Sequence, residues 1–235
     1  MKACYFMDNS TKNKFQVTKG SALLRLREIL MDSDGLITLV KLNFFFLVTT
    51  LPFVPGFIFF TGGASITALL HCTNILVKTG SVPDVRKTYF NIFKVNFKKT
   101  FFAGLAVTLL NILFIGGLVF YLILASANFM YLPFASVSLL AVIAVWSVTI
   151  HLFPAFTEHK NESNSLKEMV MSAITAAMER MKQTMIAVAV SLFVISGVIL
   201  MLPNTLPLVL TVIFSVPALA AGFAHTDSEF ISDII

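Results

Sequence analysis

The chain has 235 residues, 57% of them hydrophobic and only 12% charged, and seventeen Lys and Arg against twelve Asp and Glu give a net charge of +5. A soluble domain carries about 25% charged residues, so a water-soluble globule is excluded and most of the apolar surface must meet lipid. In a soluble chain the positive balance would suggest nucleic acid; here it reads as Lys and Arg held back on the cytoplasmic side of a membrane, and no nucleic-acid partner is expected.

The basic residues are not scattered. All but Lys41 fall within 2–27, 78–99 and 160–182, and long apolar sequence fills the intervals. Residues 1–35 read as a cytoplasmic N-terminal segment: Lys2, Lys12, Lys14, Lys19, Arg25 and Arg27 run through it. It lacks the apolar core, about 7–15 residues long, that follows the basic start of a signal peptide. Within it, Ser21 is a candidate cap for a short helix over 21–31 carrying Leu23, Leu26 and Leu30.

The apolar region 36–77 is about twice the 20 residues that a span needs. Pro52, Pro55 and Gly56 disfavour one continuous helix, because proline lacks a backbone donor and clashes with the preceding turn. Gly62-Gly63 offers a second break. The division predicted is a helix near 36–57, a turn, and a helix near 63–79. Charge favours it, since a single span would put the six basic residues of 78–99 on the outer side. Further spans are expected at 101–127, 132–156, 184–202 and 205–224. The expected fold is thus an all-α polytopic membrane bundle, six transmembrane helices in three hairpins, with both termini in the cytoplasm of a cell membrane. Residues 225–235 form an acidic tail with Asp227, Glu229 and Asp233.

Two cytoplasmic connections read as amphipathic helices. In 82–99 an apolar stripe including Tyr89, Ile92 and Phe93 opposes Arg86, Lys87, Lys94, Lys98 and Lys99. With Asn96 and Phe97, these residues make a candidate surface for anionic lipid in the headgroup region or for a protein partner. In 164–183, Leu166, Met169, Val170, Ala173, Ile174, Ala177, Met178 and Met181 form a comparable stripe.

The most polar span is the second. Thr67, His71, Asn74 and Lys78 recur at spacings of four, three and four, on one helical face. Buried ionisable groups in a membrane face a protein interior or an aqueous cavity, so this face lines a polar path or supplies hydrogen bonds between helices. His151, before Phe153-Pro154, is a second candidate, and Asn43 and Asn111 are amides expected to bond across helices. Lys41 is placed to snorkel toward the inner surface, and Trp146 to pack within the bundle. No catalytic, metal or cofactor site is expected. The four histidines show no metal-ligand spacing, no Walker A or nucleophile-elbow sequence appears, and Cys4 and Cys72 make no disulfide framework.

Gly63-Ala64 and Thr67-Ala68-Leu69, followed by Phe93-Lys94 and Asn96-Phe97-Lys98, resemble the YesL-like family of bacterial integral membrane proteins, grouped around a domain of unknown function. Asn43, Pro52, Phe153-Pro154 and Ser172-Ala173 are compatible with it, and the resemblance covers about 30–225. His71-Cys72 and Thr157-Glu158 depart from the family pattern, which makes His71 a feature of this lineage. The family has no settled activity; its members are commonly encoded near carbohydrate uptake systems. The resemblance therefore implies a non-enzymatic accessory or regulatory role in carbohydrate transport, with a membrane transporter or its ATPase as partner of the cytoplasmic helices. The alternatives are a small transporter or channel using the Thr67–Lys78 face, and a membrane enzyme acting on lipid.

Overall fold

The computed structural model describes residues 22–50, 57–158, 166–200 and 213–226. Every element among them is helical: α1 (Ala22–Met31), α2 (Ser33–Thr50), α3 (Phe57–Thr79), α4 (Val85–Ala127), a short 3-10 turn (Phe129–Tyr131), α5 (Leu132–Glu158), α6 (Leu166–Glu179), α7 (Met181–Leu200) and α8 (Ser215–Thr226). Pro52, Pro55 and Gly56, residues 203–204 between the last two predicted spans, Cys4 and the acidic tail from 227 lie outside the described residues. Four segments are long and apolar enough to cross a membrane: Ser33–Thr50, Val85–Ala127, Phe129–Thr157 and Met181–Val198.

Three boundaries differ from the sequence reading. Gly62-Gly63 is not a break, because α3 begins at Phe57 and runs through both glycines. Their use is close packing: a Cβ on Gly104 of α4 would lie 2.5 Å from the Cα of Gly63, and one on Gly63 would strike the Thr100 carbonyl oxygen. Second, the amphipathic stretch 82–99 and the span 101–127 are a single helix, α4, of 43 residues. Nothing between Val85 and Ala103 breaks it, and at about 1.5 Å per residue it is roughly 64 Å long. Third, the described part of the last predicted span is helical only from Ser215.

Local chemistry sets the turns. Gly80 ends α3 in the left-handed region, at φ 76°, with its N–H on the Leu76 carbonyl at 2.8 Å, the position where glycine costs least. Asp84 then opens α4, also left-handed at φ 41°, with its carboxylate accepting from the Lys87 N–H. Asn128 closes α4 through its own N–H on Leu124 O, and its side chain accepts from Met130 N–H to start the return into α5.

Contacts show which lengths run side by side. Phe45 of α2 lies 5.9 Å from Tyr89 and 5.5 Å from Phe90, ring to ring, and Gly63 of α3 meets Gly104. So α2 and α3 flank the first half of α4. The second half pairs with α5, through the stacked rings of Tyr121 and Phe134 at 5.5 Å and the hydrogen bond from Trp146 Nε1–H to Asn111 Oδ1 at 2.6 Å. One end of the molecule is therefore a packed cluster that buries Leu39, Leu42, Leu76, Tyr89 and Phe153. The other is a hairpin whose Leu113, Ile123, Phe129 and Leu140 are exposed.

Candidate functional site

The four residues of the polar face on α3 do not converge on one space. Thr67 is buried and donates to its own helix, at Gly63 O, 2.8 Å. His71 Nδ1 is 3.0 Å from Thr157 Oγ1 on α5. The Thr157 hydroxyl spends its one proton on Pro154 O at 2.8 Å, so toward His71 it accepts, and Nδ1 carries the hydrogen. Asn74 is buried against α8, and its Oδ1 has no hydrogen-bond partner among the described residues. That oxygen lies 3.2 Å from where a Cβ on Gly222 would stand. Lys78 is exposed at the end of α3. The face is thus divided between an α3–α5 hydrogen bond, an α3–α8 packing contact and solvent.

His151 occupies a second polar cluster. It is 2% exposed, its Nε2 is 2.8 Å from Thr184 Oγ1 on α7, and its Nδ1 has no hydrogen-bond partner among the described residues. The His225 ring of α8 lies 5.8 Å away, centroid to centroid. Arg180 donates to the His225 carbonyl oxygen, satisfying one of the orphan acceptors at the end of α8. The cluster ties α5, α7 and α8 together.

Two further polar links join helices, the first of them not read from the sequence. Thr49 donates to Phe45 O at 2.8 Å and so accepts from both Ser65, at 3.0 Å, and the Tyr89 hydroxyl, at 2.8 Å. This joins α2, α3 and α4 inside the packed end, where Tyr89 had counted only as part of an apolar stripe. Asn43, expected to bond another helix, accepts from the Phe214 and Ser215 N–H groups at 2.8 and 3.3 Å. It acts as the N-cap of α8 from a residue on α2, which no local sequence rule detects.

The candidate surface residues of α4 divide between two faces. Arg86, Lys87, Lys94, Lys98 and Lys99 are all exposed, while Phe93, Phe97 and the buried Asn96 turn inward. Phe93 packs against the core and contacts the half-buried Phe97 at 5.7 Å, so Phe93 faces protein, where a helix lying flat in the headgroups would have turned it to lipid. An open depression of about 840 Å³ is lined by Asp84, Arg86, Lys87, Phe90, Asn91 and Lys94. Only Lys87 has an ion-pair partner among the described residues, Asp84 at 2.9 Å. That hydrogen-bonded ammonium holds the Asp84 carboxyl below its usual range.

The described chain is therefore an all-helical one with four helices fit to cross a membrane and an exposed cationic half-helix. No family model, curated protein or solved structure matches it.

Proposed function

We propose that this is a non-enzymatic, multi-pass membrane protein, an accessory component that docks on a membrane transporter or its ATPase through its cytoplasmic helices. The observation that carries this reading is α6. It buries Met169 and Ala173 against the bundle yet exposes Met171, Ile174 and Met178 on its other side. A short helix apolar on both faces has a second face to cover, and flexible methionines suit it to a protein surface. The link to carbohydrate uptake rests on the resemblance to the YesL-like family alone. In the proposed orientation 78–100 and 160–182 face the cytoplasm with both termini, and the chain crosses a bacterial cell membrane an even number of times. Six crossings in three hairpins satisfy that parity; so do four, if α2 and α3 fold back on the side they enter from. The transporter alternative has less support, because Thr67 and Asn74 are buried and His71 is engaged with Thr157.

A photo-crosslinking residue at Met178 in native membranes tests the docking. The expected product is a covalent adduct to a permease or its ATPase, lost when Met171→Glu removes the apolar face. Recovery of the protein alone, at crosslinker positions throughout α6, would sink the proposal.

A further inference from the structure

We infer that the α2–α3 hairpin does not cross the bilayer but sits at the cytoplasmic headgroup level, where the exposed cations of α2 and α4 bind the phosphates of anionic lipid. This rests on the orientation proposed above. The argument is one of depth. Phe45 against Tyr89 and Phe90, and Thr49 bonded to Tyr89, place α2 beside the first half of α4. Lys41 stands one turn, about 6 Å, from Phe45, so it shares this level with Arg86, Lys87 and Lys94. All four are exposed, as are Lys98 and Lys99.

A hydrocarbon core about 30 Å thick has two possible positions along α4. Laid over α2, itself about 27 Å long, it would immerse Arg86, Lys87 and Lys94. It would then leave the exposed Leu113, Ile123, Phe129 and Leu140 of the distal hairpin in water. Laid over the distal hairpin, it covers those residues. From Lys99 to Ala127 is about 42 Å, enough to span with tilt. In that position every exposed cation of α2 and α4 lies at or beyond the cytoplasmic boundary, in reach of lipid phosphate. The apolar residues Val40, Phe44 and Val48 on the exposed side of α2 then dip into the headgroup and upper acyl region. The hairpin returns to the side it left, so the one-sided charge pattern is kept. Gly63 meets Gly104 five residues past Lys99, and α3 continues beyond that contact to Phe57, so the tip of the hairpin enters the upper acyl region while its cations stay at the boundary.

The test uses the full chain in nanodiscs, with Cys4→Ser and Cys72→Ala removing the native thiols and a spin label at Phe44→Cys or Leu113→Cys. Both side chains are exposed, at 57% and 64%. The Leu113 label should be oxygen-accessible and deep; the Phe44 label should be shallow and open to a water-soluble nickel relaxant. A Phe44 label as deep as Leu113 would overturn the inference and leave the even-crossing orientation intact. In nanodiscs of equal phosphatidylglycerol and phosphatidylcholine, the first lipid shell should be enriched severalfold in phosphatidylglycerol. Arg86→Gln/Lys94→Gln/Lys98→Gln/Lys99→Gln should abolish the enrichment, and 10 mM inorganic phosphate should leave it unchanged. No enrichment in the wild type, or competition by free phosphate, would refute the lipid assignment; the first result would return the cationic face to a protein partner.

Discussion

Replacing Asn43 with leucine should be among the costliest single changes in this chain. The side chain is fully buried, and its one oxygen satisfies two backbone N–H groups at the start of α8. Leucine keeps the volume and removes both acceptor contacts. Loss of a helix N-cap costs about 0.5–2 kcal/mol, and each buried donor left unsatisfied costs about 1–3 kcal/mol. Local relaxation will recover part of that, so a net loss of about 2–4 kcal/mol is expected. For a chain of this size, about 1 kcal/mol lowers the melting midpoint by roughly 2–4 °C, so the predicted drop is about 5–15 °C. Cys72, fully buried and free, reports unfolding directly when a thiol-reactive dye is added to heated protein in detergent, with Cys4→Ser removing the other thiol. Asn111→Leu is the internal scale: it strands one half-buried donor, Trp146 Nε1–H, and should cost less, about 0.6–1.7 kcal/mol. A midpoint for Asn43→Leu equal to wild type, or above that of Asn111→Leu, would refute the cap.

Gly104→Val should destabilise by about 1–3 kcal/mol or more, since its Cβ would stand 2.5 Å from Gly63 Cα; Gly116→Val, with open space around it, should be nearly neutral in the same dye assay. His71→Phe and Thr157→Val should be non-additive, with a coupling of about 0.6–1.7 kcal/mol in a double-mutant cycle; strict additivity would remove the α3–α5 bond. Asp84 is held below its usual pKa by Lys87, so the stability it lends the start of α4 is present above the unfolded value, about 3.9. That stability is lost as pH falls through the lowered folded value. The difference between wild type and Asp84→Asn should therefore be constant from pH 5 to 7 and close only in strong acid. A difference that closes near neutrality would contradict the pairing.

What the sequence made legible was periodic or compositional. The apolar runs that become α4, α5 and α7 stand out by length, and the cationic face of α4 by its 3–4 spacing. The turn at Asn128 falls between the predicted spans 101–127 and 132–156, where a single asparagine caps both the end of α4 and the start of the return. Its limits were physical too. A glycine pair reads equally as a helix break or as a close crossing, and only the partner glycine at 104 decides between them. The continuity of α4 past Thr100 was missed because a change from amphipathic to apolar composition does not require a change of direction. Long-range polar partners such as Asn43 with Phe214, or His151 with His225, have no local signature. Depth was the least legible feature, since charge counting fixes only which side a loop faces and is blind to whether a hairpin traverses or returns.

The central claim is that the distal α4–α5 hairpin crosses the bilayer, with the cationic half of α4 on one side and the Asn128 turn on the other. It is tested most directly by thiol labelling of oriented vesicles with a membrane-impermeant maleimide, in a chain free of native cysteines. Lys94→Cys and Lys41→Cys should react from the cytoplasmic side only, and Phe129→Cys from the opposite side only. Labelling of Lys94→Cys and Phe129→Cys from the same side would contradict the account.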